Sequence, residues 1–216
     1  MIALSLEPRL ALTAVIQQLE SAGLNQGAAG NASVRTPEGM LITPTGVRPR
    51  DLAPAQHVAM DRNGEVIGHG MRPSSEWRFH RDIYRARAAV NAVVHVHSPY
   101  ATALACRRAD IPAFHYMISI AGGDSIRCAP YALFGSQALS DAALLALAQR
   151  QACLLANHGL IALGENLQAA FDLTLAVEDL AHQYCLTLNC GDPVLLTNDE
   201  MRTVLERFQT YGQQAT

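Results

Sequence analysis

The sequence predicts an α/β domain. Short apolar runs of strand length alternate with longer runs whose apolar residues recur at helical spacing, and Gly, Pro and Asn turn signals separate them. Half of the 216 residues are hydrophobic, enough for one sizeable core. No internal repeat, low-complexity segment or linker divides residues 1–216, so one domain is expected.

Each element has a local reason. Residues 8–22 form an amphipathic helix through Leu10, Val15 and Leu19, and Gly23 stops it. After a Gly-rich stretch, residues 32–35 and 40–43 read as a hairpin, followed by a turn at Pro44-Thr45-Gly46. A second hairpin is expected from residues 58–60 and 66–67 around Asp61-Arg62-Asn63-Gly64. Pro73-Ser74-Ser75-Glu76 opens a helix to about Arg87, with a serine as N-cap and Phe79, Ile83 and Ala86 as its apolar stripe. Residues 90–97 are strand, 98–107 helix and 111–120 strand, and Gly122-Gly123-Asp124 is a turn. Helix 139–150 precedes an apolar strand, 152–156, that breaks at Asn157-His158-Gly159 and resumes over 160–163. Asn166 caps a long helix to about Asn189, and Thr197-x-x-Glu200 is a capping box for a last helix to about Phe208.

Composition narrows the function. A net charge of −3 without a polybasic run argues against nucleic acid or a membrane surface as partner. The five cysteines are scattered and never Cys-x-x-Cys, the pattern of reduced thiols in a cytoplasmic protein. Glu7, Arg9 and Glu20 interrupt the apolar N-terminal residues, which therefore do not read as a signal peptide, and no apolar run reaches membrane-spanning length.

His95 and His97 alternate with valines along one strand, so both imidazoles project from the same face. His158, at the end of another apolar strand beside Gly159, is a third candidate donor; three histidines leave an open position on a zinc ion. Glu76 is a candidate acid/base that ligates the metal when substrate is absent. Read singly, His158 is equally a turn histidine and Glu76 a helix cap. The backbone N–H groups of residues 27–31 form a candidate anion nest, and the helix start at Ser74 and Ser75 forms another. His57, His69, His80, His115 and His182 have no assigned role; His182 pairs with Glu178 on a helix surface, and Asp124 and Arg127 read as turn and surface groups.

Seven ordered stretches, GLNQGAAGNASVR (23–35), MLITPTG (40–46), PSSEWRFH (73–80), NAVVHVHS (91–98), IPAFHYMISIAGGDSI (111–126), CAPYALFG (128–135) and NHGLIALGENL (157–167), resemble the class II aldolase/adducin family, and within it the L-fuculose-1-phosphate aldolase branch. The resemblance implies a three-layer α/β/α fold with a central, largely antiparallel sheet, assembled as a homotetramer with sites at subunit interfaces. It implies Zn²⁺, with Mn²⁺ or Co²⁺ as alternatives, held by Glu76, His95, His97 and His158, with Glu76 also the catalytic acid/base. It implies phosphate binding by Gly30, Asn31, Thr45, Gly46, Ser74 and Ser75. Tyr116 would reach a neighbouring subunit's site as proton donor, and Tyr211 would close over the site. Ala28, where close relatives usually carry threonine, and Asn157, where a histidine often precedes the metal histidine, depart from the pattern.

The implied reaction is cleavage of a ketose 1-phosphate, such as L-fuculose 1-phosphate, to dihydroxyacetone phosphate and an aldehyde such as L-lactaldehyde. All sixteen basic residues are arginine, so a lysine Schiff base is excluded. Alternatives are 5-deoxy- or 5-methylthioribulose 1-phosphate as substrate, 3-oxo-tetronate 4-phosphate decarboxylation, or pentulose-5-phosphate 4-epimerisation. The epimerase branch typically carries aspartate at the position of Glu76. A non-catalytic adducin-like interaction domain is a different class of reading; such domains can lose their metal ligands, whereas all four positions are filled here.

Overall fold

A computed structural model describes residues 6–208. Its α/β fold is built on a seven-stranded mixed sheet. The strands are β1 (Asn31–Arg35), β2 (Gly39–Ile42), β3 (Val58–Asp61), β4 (Ala92–Val96), β5 (Arg127–Ala129), β6 (Ala152–Leu155) and β7 (Gly159–Gly164). They lie in the order β3-β2-β1-β4-β7-β6-β5. Among the described residues β5 and β6 run parallel, and every other neighbouring pair is antiparallel.

The helices are α1 (Leu6–Ser21), α2 (Trp77–Ala86), α3 (Pro99–Cys106), α4 (Gln137–Ala146), α5 (Leu167–Cys190) and α6 (Asn198–Phe208). Side-chain alternation along β4 separates two cores. Ala92, Val94 and Val96 pack with Leu12 of α1, Ala101 of α3 and Ala170 of α5. Val93 packs with Phe79 and Ile83 of α2 and Leu139 of α4. Helices therefore cover both faces, and β4, fully buried, lies at the centre.

Local chemistry accounts for several boundaries. Asn166 Oδ1 accepts from Ala169 N–H at 2.8 Å, and Thr197 and Glu200 form the reciprocal capping box at 3.2 and 2.7 Å. Ser136, rather than a residue nearer 139, caps α4 by accepting from Leu139 N–H. Among the described residues no helix is long and apolar enough to cross a membrane.

Two local expectations are corrected. Residues 111–120 are not a strand: Ile111 makes one bridge with Ile126, and Tyr116–Ala121 is a 3₁₀ turn. Pro112 has no N–H for a ladder, and His115 Nδ1 accepts from Met117 N–H, starting the turn. The strand in this region is β5, three residues ended by Pro130. Residues 66–67 make a single bridge to β3 instead of a strand, while the Asp61 carboxylate organises the turn by accepting from Asn63 and Glu65 N–H.

Candidate active site

The sheet brings the histidines together. β4 delivers His95 at full burial, and His97 follows at the strand end, with its N–H held by Asn25 Oδ1 at 3.0 Å. β7 pairs with β4 in antiparallel register, so the β6–β7 turn carrying His158 returns beside them. Gly159 is required there: a Cβ would strike the Val96 carbonyl and crowd the His97 ring. The three rings meet edge-on, with centroids 4.8, 4.9 and 4.9 Å apart.

Glu76 occupies the N-cap position of α2, but its side chain makes no capping bond. Its carboxylate turns inward instead. Oε2 lies 3.1 Å from His95 Nε2 and accepts from Asn31 Nδ2 at 3.0 Å; Oε1 lies 3.3 Å from His158 Nε2. The serine N-cap is thereby corrected: Ser74 Oγ accepts from Glu76 N–H just ahead of the helix, which itself begins at Trp77.

The donor set fits a divalent cation. One ligand atom from each of Glu76, His95, His97 and His158 lies within 4.8 Å of the others. His95 donates Nδ1–H to the Leu160 carbonyl at 2.9 Å, which turns its Nε2 toward the cluster, 3.0 Å from His97 Nε2. Glu76 Oε1 is buried without a hydrogen-bond donor. Burial favours the neutral carboxyl of Glu76, yet His95, His158 and the Asn31 amide outweigh it and hold the group down at about 2. Burial, then the neighbouring His95, lowers His97 and His158 to about 4. The set is therefore ionised at the carboxylate and neutral at His97 and His158 near pH 7, the protonation state that metal ligation requires.

Glu76, His97 and His158 open into a cavity of about 350 Å³ that Gly30, Asn31, Thr45, Gly46, Ser74 and Ser75 also line. Some of the cradle's expected donors are already spent. The N–H groups of Thr45 and Ser74 go to the carbonyls of Arg72 and Thr43, and Asn31 commits its carbonyl oxygen to His80 and one amide N–H to Glu76. The opposite wall is Tyr131, Ala132, Phe134 and Asn157. Both departures from the family pattern, Ala28 and Asn157, line the cavity.

Tyr116 is half exposed and lies outside the cavity lining, its ring against His115 and Phe208. Tyr211 lies outside the described residues. Three supporting groups had no local signal. Asn25 tethers His97, and buried His80 bonds to Asn31 at 2.5 Å. Glu178 caps α3 directly after His97, accepting from Ser98 Oγ, Tyr100 N–H and Ala101 N–H. Glu178 is thus no surface partner of His182, which stacks on Tyr100 instead. Asp124, expected only as a turn group, pairs with Arg150.

Comparison with known proteins agrees with this geometry. The model of the class II aldolase and adducin N-terminal domain matches residues 11–185. A 5-methylthioribulose-1-phosphate/5-deoxyribulose-1-phosphate aldolase of Rhodospirillum rubrum is 52% identical over 199 residues, 92% of this chain and 90% of the relative. An L-fuculose phosphate aldolase of Escherichia coli is 52% identical over 191 residues, 88% of each chain. A solved structure of an L-fuculose 1-phosphate aldolase superposes with a TM-score of 0.92 at 39% identity, covering 95% of this chain and 98% of that one. The matched region spans the strands, the histidine cluster and its cradle, and the chain belongs to the class II aldolase and adducin family.

Proposed function

We propose that this chain is a metal-dependent aldehyde-lyase that reversibly cleaves a ketose 1-phosphate to dihydroxyacetone phosphate and an aldehyde. The observation that carries this reading is one cavity that joins a Glu76/His95/His97/His158 donor set to Gly30, Asn31, Thr45, Gly46, Ser74 and Ser75. A divalent cation, Zn²⁺ by preference, would supply Lewis-acid stabilisation of the charge that develops on the three-carbon half. The cradle holds the phosphate through backbone N–H groups and hydroxyls; no arginine is among the described residues that line it. The C3–C4 bond breaks with its electron pair retained by the three-carbon half. Glu76, a carboxylate at rest, takes up a proton from solvent and delivers it to that carbon, which becomes the hydroxymethyl carbon of dihydroxyacetone phosphate.

The C4 hydroxyl proton leaves through a second group, whose own hydroxyl proton passes to solvent as it takes the sugar's and which donates in the reverse, condensation direction. We assign it to Tyr116 of a neighbouring subunit in a homotetramer, because Tyr116 is exposed and away from its own cavity. Tyr211 is assigned to closure over the site. Residues 1–216 act as one domain, placed in the cytoplasm on the strength of five free cysteines.

Tyr131, Ala132 and Phe134 give the far wall an apolar character suited to an aldehyde with an apolar end. L-Fuculose 1-phosphate, whose aldehyde product carries a methyl group, is the first substrate proposed. The same wall supports 5-deoxy- or 5-methylthioribulose 1-phosphate as a second reading. The test is a coupled assay for dihydroxyacetone phosphate with all three sugars, before and after chelation. Chelator-sensitive release is expected from at least one. Release from none, or release insensitive to chelation and metal re-addition, overturns the proposal.

A further inference from the structure

A buried chain of hydrogen bonds ends on Glu76. Asn31 and Ser33 alternate along β1 and so share a face, while His80 and Tyr84 are one turn apart on α2. The Tyr84 hydroxyl meets Ser33 Oγ at 2.7 Å, and Ser33 Oγ meets His80 Nδ1 at 2.7 Å. His80 Nε2 meets Asn31 Oδ1 at 2.5 Å, and Asn31 Nδ2 meets Glu76 Oε2 at 3.0 Å. Ser33 and His80 are fully buried, and Asn31 nearly so.

Only one direction of donation satisfies every group. The Glu76 carboxylate accepts and cannot donate, so Asn31 presents its NH₂ to it and its carbonyl to His80. His80 must then carry its proton on Nε2. Its bare Nδ1 takes the Ser33 hydroxyl proton, and Ser33 accepts from Tyr84. The reverse tautomer would turn Asn31 Oδ1 against the carboxylate, a buried clash of two acceptors.

We propose that His80 is a positioning residue that acts through Asn31 to hold Glu76 by Oε2, leaving Oε1 as the oxygen that moves the proton. Oε1 is the atom without a hydrogen-bond donor, and Glu76 lines the cavity. The same amide belongs to the cradle, so the carboxylate and the phosphate site are set by one side chain. The chemical consequence rests on the aldolase reading; the arrangement itself does not.

Two measurements test it. Long-range ¹H–¹⁵N spectra of the metal-free protein report the His80 tautomer, which should be Nε2-protonated; an Nδ1-protonated ring overturns the proposal. Kinetics then separate positioning from packing. Gln at position 80 can place an N–H where Nε2–H stands, whereas Asn places its amide near Nδ1, and Leu removes the donor. His80→Leu and His80→Asn should lose about 10- to 100-fold in kcat with KM held within about threefold, and His80→Gln should recover most of it. Equal kcat in the folded Gln and Asn variants overturns the role, as does a wild-type kcat in His80→Leu. If His80→Leu does not fold, the Gln and Asn pair decides. If the wild-type protein cleaves none of the three sugars, the aldolase reading fails alone, and the tautomer still decides the arrangement.

Discussion

Two concavities on this molecule differ in what their polar groups have left to offer. A cleft of about 680 Å³ is lined by Arg35, Arg62, Arg81 and Arg85, beside Tyr84 and Asp61. It is larger and more basic than the 350 Å³ histidine cavity. Yet Arg35 donates to the carbonyls of Val90, Tyr84 and Arg87, Arg62 donates to Pro37, and Arg81 to Asp82, Asn63 and Gln137. These guanidiniums tie chain segments together. In the histidine cavity the opposite holds: Oε1 of Glu76 has no donor, and two Nε2 atoms confront each other. Volume and charge alone favour the arginine cleft; unspent bonding capacity favours the histidine cavity.

The largest effect that could break this contrast is at His95. His95→Ala should abolish cation binding and reduce cleavage by more than the roughly 100-fold that outer-shell changes cost. Metal analysis of the purified variant checks it, and stoichiometric metal in a His95/His97 double variant would show that the cluster is not the ligand set. Glu76→Gln comes next. It should keep part of its metal but lose about 10²–10⁴ in kcat as a general acid/base. Unchanged exchange of the hydroxymethyl proton of dihydroxyacetone phosphate would reduce Glu76 to a ligand.

Ser75 is exposed and lines the cavity. Ser75→Ala should raise KM about tenfold with little change in kcat, the scale of one hydrogen bond to a charged group. An unchanged KM would remove it from the cradle.

Acid bears on the buried histidines, which resist protonation. His57, 3% exposed and bonded to Thr13, is lowered from 6.5 to about 4 by burial and then by Arg9; His97 and His158 are also lowered to about 4. Between those pH values the unfolded chain binds more protons than the folded one, so stability is present above 6.5 and is lost as pH falls toward 4. Urea midpoints of the metal-free protein should drop across that window, less steeply in His57→Gln. A flat midpoint contradicts the burial argument. The smallest effect is expected in the arginine cleft. Arg85→Ala should leave inhibition by inorganic phosphate within about twofold of the original. A tenfold weaker inhibition would move the anion site there.

Regular patterns exposed much of this in the sequence. Period-two alternation identified β4 and the shared face of His95 and His97, and capping chemistry located α5 and α6. Periodicity names a face but not a partner across the fold. It could not show that the Glu76 carboxylate leaves its helix end for two histidines, or that Glu178 caps a helix 77 to 80 residues away. His80 was invisible for the same reason: a histidine on an amphipathic helix reveals its function only when β1 lies across it. The apolar run at 111–120 failed in another way, since Pro112 and His115 made a turn from strand-like composition.

The double engagement of Asn31 has a consequence for redesign. Its carbonyl oxygen is held by His80 and one of its amide hydrogens by Glu76, in a strand position directly opposite His95. On the aldolase reading, an enzyme retooled for an unphosphorylated ketose would be altered first at Thr45 and Ser75, and not at Gly46, whose φ of +72° strains any side chain placed there. On that same reading Asn31 does not belong in that library: exchanging it would change the proposed anchor of the substrate and the aim of the proposed base together, so every such variant would confound selectivity with catalytic competence.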